Sequence, residues 1–159
     1  MVITTNKRAY FDHEILETYE AGVELKGFEV KSIKNGRINL AGSYVVFRKN
    51  QFWLLNADIP AYQPKNAPEN YESKQTRRLL LKRSEIDGII GHTSKKAMPC
   101  SDAGRLLSGL TLLPLKVYTK GKSNLIKIEI GLAKSRKKAD KRELLKKREA
   151  MREIRNESF

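Results

Sequence analysis

The run from Ile126 to Leu132 constrains this chain more than any other stretch. Ile126, Ile128, Ile130 and Leu132 alternate with Lys127 and Glu129. A period of two sends apolar side chains to one face and charged ones to the other, which predicts a half-buried β-strand and not a helix. Directly after it the character of the chain changes. Residues 132–159 carry 11 Lys or Arg against 5 Asp or Glu, a net of +6, whereas the preceding 131 residues hold 21 against 13. The strand therefore closes a folded body over residues 1–133, and residues 134–159 form a basic tail.

Other segments repeat the β signature. Tyr44 to Phe47 and Phe52 to Leu55 flank a short polar link, Arg48 to Gln51, which predicts a hairpin. Leu110 to Tyr118 is β-rich, but Pro114 cannot donate to a ladder, so this strand is an edge or carries a bulge. Thr119 to Asn124, with Gly121, is the turn back into the last strand, and Val23 to Leu25 ends another. One internal helix is marked by Ile86, Ile89 and Ile90, with Ser84 as its cap, Asp87 three residues on and Gly91 as a stop. Gly27 to Asn35 reads as a short helix or a loop, ended by Asn35-Gly36. Pro60 to Gln75 and His92 to Gly109 read as loops. Many short strands and few short helices predict an all-β domain with short helices. A chain of this size solves its edge problem with a small closed or partly closed barrel, and an OB-fold-like antiparallel β-barrel is one such solution.

The charge says what such a barrel is for. The 159 residues carry a net charge of +14, which draws the chain toward polyanions. The longest apolar runs are far too short to span a membrane, and the start of the chain lacks a signal peptide, so a cytoplasmic protein is expected. The lone Cys100 has no internal disulfide partner, which agrees with a reducing compartment. Enzyme chemistry finds no foothold. His13, His92 and Cys100 do not stand at metal-ligand spacing, and no phosphate loop or nucleophile elbow is present. The acidic group Asp12, Glu14, Glu17, Glu20 and Glu24 reads as a solvated surface that balances nearby lysines. No catalytic residue, metal or cofactor is expected.

Two basic clusters point to nucleic acid. Lys31, Lys34 and Arg37 recur every third residue, with Asn39 and Ser43 following, so a short helix and its exit loop can present amines and amides to phosphate and sugar oxygens. Lys74, Arg77, Arg78, Lys82 and Arg83 form the second cluster. Phe11, Phe28 and Tyr62 are aromatics that either stack on bases or belong to the core. The tail has Asp140 as a cap with Glu143 three residues on, and a narrow stripe of Leu144, Met151 and Ile154. Such a stripe is too thin to hold a helix on a core, so a tail disordered when free and helical on an anionic surface is expected. Membrane-surface binding is disfavoured by the same weak apolar face.

Several ordered motifs then acquire a meaning together. They are Asn6-Lys7-Arg8-Ala9, Glu17 to Gly22, Gly27-Phe28-Glu29-Val30-Lys31-Ser32-Ile33 and Gly36-Arg37-Ile38-Asn39-Leu40. Ser43-Tyr44, Thr76-Arg77-Arg78-Leu79-Leu80-Leu81, Gly131-Leu132-Ala133-Lys134 and Asp140-Lys141-Arg142-Glu143 complete the series. Across nearly its whole length the chain resembles the SsrA-binding protein family, also called small protein B. The resemblance implies an oligonucleotide-binding-type barrel that binds the tRNA-like domain of transfer-messenger RNA and delivers it to ribosomes stalled on messages without stop codons. It implies a tail that probes the empty messenger channel and contacts ribosomal RNA. Elongation factor Tu is implied in the delivery complex, and a monomer is expected. Carried over by position, Asn6, Lys7, Glu29, Lys31, Arg37 and Asn39 would face RNA, with Lys34, Arg77 and Arg78 from the clusters and Leu81 packed nearby. Lys134, Lys137, Asp140, Lys141 and Arg142 would meet the ribosome. The chain departs from the family pattern at Tyr10-Phe11, at Ser135, at Ala139 and in the long segment His92 to Gly109.

Overall fold

The computed structural model describes residues 1–63, 65, 67–94, 109–121 and 124–157. Among the described residues, seven strands and four helices follow in the order β1 (Val2–Thr5), α1 (Lys7–Asp12), β2 (His13–Val23), α2 (Gly27–Lys34), β3 (Tyr44–Arg48), β4 (Gln51–Leu55), β5 (Arg77–Leu80), α3 (Arg83–Ser94), β6 (Leu110–Lys120), β7 (Leu125–Ser135) and α4 (Lys138–Glu157). The strands pair in the order β1-β6-β3-β4-β5-β2-β7, and β6 also pairs with β7. That last pairing closes β6, β3, β4, β5, β2 and β7 into a ring, with β1 laid outside against β6. Every pairing is antiparallel. The expected small barrel is therefore present, and closure leaves the ring strands without open edges.

The alternation in β7 does what its period requires. Ile128, Ile130 and Leu132 are buried in the barrel interior with Val45, Phe52, Leu54, Leu79, Leu112 and Val117. On its outer side Gly131 and Ala133 are also buried, because α1 lies over them. Ala9 of α1 packs there with Leu113, Leu115 and Ala133 in a second, smaller core. Gly131 is required by this crowding: a β-carbon there would come within 2.7 Å of Leu115 Cδ1 and 3.2 Å of Ile15 Cγ2.

Turn chemistry follows the local rules. The β3–β4 link narrows to two residues, Lys49 and Asn50, at φ 50° and 57°, the mirror-image geometry that matches strand twist. Asparagine tolerates this region through its short polar side chain, which is how the hairpin dispenses with glycine. Pro114 sits at a register break between β6 and β7, so of the two expected alternatives the bulge is realised. Its strand is no edge: β6 has β1, β3 and β7 as neighbours.

Some boundaries differ from the sequence reading. Helix α3 begins at Arg83, two residues ahead of the start a Ser84 cap implies, and its first turn is closed by Glu85 Oε2 accepting from Lys82 N at 2.8 Å, not by Ser84 and Asp87. It also continues through Gly91, because Gly in a helix interior costs about 1 kcal/mol, too little to stop a helix whose Ile89 is buried in the core. Strand β7 runs through Ser135, so Lys134 and Ser135 belong to the barrel wall, paired with Glu14 and His13. The tail carries helix α4, with Asp140 in its first turn; Asp140 Oδ2 accepts from Lys137 N at 3.3 Å. Asp140 thus serves the helix start from inside it, not as the cap. Cys100 and most of the segment expected as a loop from His92 to Gly109 lie outside the described residues.

Candidate nucleic-acid interface

Helix α2 organises the basic surface. Its first turn is closed by Glu29 Oε2, which accepts from Lys26 N at 2.8 Å. Glu29, Ser32 and Ile33 face inward. Ile33 enters the main core, and Ser32 Oγ donates to Pro60 O at 2.5 Å. The spacing that buries these residues turns Lys31 and Lys34 outward on one face, three residues apart. Gly36, at φ 77°, then reverses the chain and leaves Arg37 and Asn39 exposed beside them. Asn39 is held in place by a two-way backbone bridge to Asp58 and by Oδ1 accepting from Ala41 N at 2.9 Å.

Glu29 and Arg77 correct the sequence reading. Both were expected to face RNA, yet they are 1% and 3% exposed. Arg77 Nη2 lies 2.8 Å from Glu29 Oε1. Arg77 also donates to Ala57 O, Gln75 O and Ser73 O, at 2.9, 3.0 and 2.8 Å. Gln75 Nε2 donates to Glu29 Oε1 at 2.9 Å, and the Tyr71 hydroxyl stands 3.0 Å from the same oxygen. Burial raises the Glu29 carboxyl, but the Lys26 amide and the Arg77 guanidinium outweigh it and hold the group below its ordinary range. The same site pushes Tyr71 up to about 12, chiefly by burial and then by the Glu29 charge. A pair so enclosed cannot present itself to a ligand. It staples α2 to β5 and to the loop before it, and so positions Lys31, Lys34 and Arg37.

Asn6 is corrected in the same way. It is 7% exposed, donates through Nδ2 to Leu40 O and Pro114 O at 3.1 and 3.0 Å, and caps α1 through Oδ1 accepting from Ala9 N at 3.1 Å. Its neighbour Lys7 is exposed. Asn6 thus fastens α1 to the bulge at Pro114, and α1 presents Lys7. In the second cluster Lys74, Lys82 and Arg83 are exposed, while Arg78 stands 3.7 Å from Glu24. Leu81 is half-buried against the main core. Of the three candidate aromatics, Phe28 is engaged edge-on with Tyr71, ring centroids 4.8 Å apart, with Lys26 Nζ 6.0 Å from its centroid. Lys26 escaped the sequence reading because only the fold brings Tyr71 beside it.

The tail residues divide. Lys137, Asp140 and Arg142 are exposed, and Lys134 is exposed on β7. Lys141 instead turns back to the barrel, its Nζ 2.7 Å from Asp12 Oδ1. Arg136 joins it there, donating through Nε to His13 O at 3.1 Å. Two other acids of the sequence cluster, Glu20 and Glu24, also pair with cations of the barrel. Glu20 meets Lys120 at 2.8 Å and Lys127 at 3.8 Å, and Lys120 and Tyr118 hold its carboxyl at about 2. Among the described residues no group of His, Cys, Asp and Glu could hold a metal ion, and no helix is long and apolar enough to cross a membrane.

A closed antiparallel barrel with exposed cations on α1, α2 and the chain before α3 defines a protein of the oligonucleotide-binding class. The particular family is shown by comparison: the family model described as SmpB protein matches residues 3–158, and the chain belongs to that family. It is similar to the SsrA-binding protein of Gloeothece citriformis, 45% identical over 96% of this chain and 90% of the relative. It is 46% identical to that of Carboxydothermus hydrogenoformans, over 96% and 93%. Among solved structures, a chain from one described as "tmRNA-SmpB: a journey to the center of the bacterial ribosome" aligns with a TM-score of 0.62 and 37% identity over 85% of each chain.

Proposed function

We propose that this protein is a non-enzymatic RNA adaptor for ribosome rescue. It binds the tRNA-like domain of transfer-messenger RNA and brings it, with elongation factor Tu, to ribosomes stalled in the cytoplasm. The barrel holds the RNA as a monomer, and the tail tests whether the messenger channel is empty. The near full-length likeness to proteins named SsrA-binding carries this reading. The exposed row of Lys31, Lys34 and Arg37 supports it, because cations on a rigid support position a phosphate backbone while shape and unpaired loops supply specificity. On this reading Asn6, Glu29 and Arg77 act by holding that row and α1 in place. The tail residues Lys137, Asp140, Lys141 and Arg142 act on the ribosome, with Lys134 at the root.

The test is binding to a tRNA-like fragment of transfer-messenger RNA against an excess of unstructured RNA near physiological salt. Tight binding that survives the competitor is expected. Binding that the competitor erases would reduce the protein to a basic barrel with general affinity for polyanions.

A further inference from the structure

Trp53 lies in the middle of β4. Its neighbours Phe52 and Leu54 point inward and are buried in the core that also holds Ile33 of α2. The period of two therefore sends Trp53 to the outer face. There it lies directly across from Val46 on β3 and Arg78 on β5. Its indole Nε1 donates to Arg48 O at 3.3 Å, which sets the plane of the ring from within its own hairpin. Trp53, Val46, Leu55, Thr76, Arg48 and Lys49 line an open cleft of about 280 Å³. The Lys49-Asn50 turn, with both residues at positive φ, holds Lys49 at the tip of the hairpin, exposed. Among the described lining residues Lys49 places an exposed cation beside the ring, and none of them is a carboxylate.

We propose that this cleft is a stacking site for one unpaired base of a single-stranded RNA segment. An oriented indole face, partly exposed, offers the sequence-tolerant stacking that single strands use, and the neighbouring Lys49 at the hairpin tip takes a flanking phosphate. A duplex cannot reach it in this way, because its bases are already stacked on each other. An acidic protein would leave the ring unused. The described lining residues do not include Lys31, Lys34 or Arg37, the row that supports the rescue reading, and the cleft adds a second contact for RNA leaving the folded domain.

Trp53 is the single tryptophan of the chain, so its emission reports on this cleft alone. The full-length protein is titrated with a short oligouridylate, following Trp53 fluorescence and the anisotropy of a labelled oligomer. Saturable quenching is expected. W53A should weaken oligomer binding by roughly tenfold or more, W53F by only a few-fold, and K49E should weaken it and lower the salt slope by about one. Lys49 is exposed, so K49E keeps its fold and the test does not depend on W53A alone. Unchanged emission while the labelled oligomer binds, or wild-type binding by W53A and K49E, would overturn the proposal. So would displacement of the oligomer from Trp53 by the folded tRNA-like fragment. If quenching persists but the folded fragment does not bind, the rescue reading fails and this site stands.

Discussion

At the scale of single residues, burial decides role. Glu29 and Arg77 look from their types like surface groups for RNA, but the fold encloses them and makes each the other's main charge partner. Removing one member of such a pair leaves the other charge buried and unbalanced. E29M should therefore cost about 3–5 kcal/mol of stability, seen as a lower denaturant midpoint, while the double variant E29M/R77M recovers much of the loss. A Glu29 that merely contacted RNA would show wild-type unfolding. Asp12 offers a second test. Its hydrogen bond from Lys141 holds its carboxyl below the ordinary value, with Arg8 adding to the effect. A lowered folded-state value means the contact contributes fully above the ordinary carboxylate range and is lost as pH falls through the folded value. Docking of the α4 start, followed by a fluorophore on the tail, should loosen on acidification in the wild-type protein. In D12N the docking should be weak at every pH.

At the scale of elements, the end of β7 separates barrel from tail. The residues Lys134 and Ser135 complete the ladder with Glu14 and His13, and Arg136 N donates to Asp12 O at 3.0 Å. A chain ended after Lys137 should keep the melting behaviour of the full barrel and bind RNA, yet fail in ribosome rescue. A chain ended after Ala133 should melt lower, because it loses those pairings. Gly131 is the tight point of the same strand. G131A should destabilise the barrel by about 1–3 kcal/mol, since Leu115 and Ile15 are packed on both sides of the new methyl group. Thermal unfolding measures both, and a G131A melt equal to wild type would show that the second core is looser than its contacts imply.

At the scale of the whole molecule, charge sets affinity and closure sets the fold. If about six phosphates are neutralised, log K for RNA should fall with log salt at a slope of roughly −4 to −5. A slope near zero would remove the electrostatic account. Periodicity alone was enough to read β7 and the β3–β4 hairpin, and the missing amide of Pro114 to mark β6 as an edge or a bulge, because these depend on neighbours a few residues apart; the long β2 that carries the acidic residues was read only at its Val23 end. The motif series was enough to place the family, and the charge excess to name a polyanionic partner. Which polar residues stay on the surface was not legible. The enclosure of Glu29 depends on Arg77, 48 residues away, and the enclosure of Asn6 on Pro114, 108 residues away. The outward turn of Trp53 acquires its meaning only when β3 and β5 flank it. Local pattern settles which segments become strands and helices, since backbone geometry and side-chain alternation are local. Burial of a charge, and with it the difference between a residue that touches RNA and one that holds the surface in place, is settled only when the barrel closes and distant segments remove water from between them.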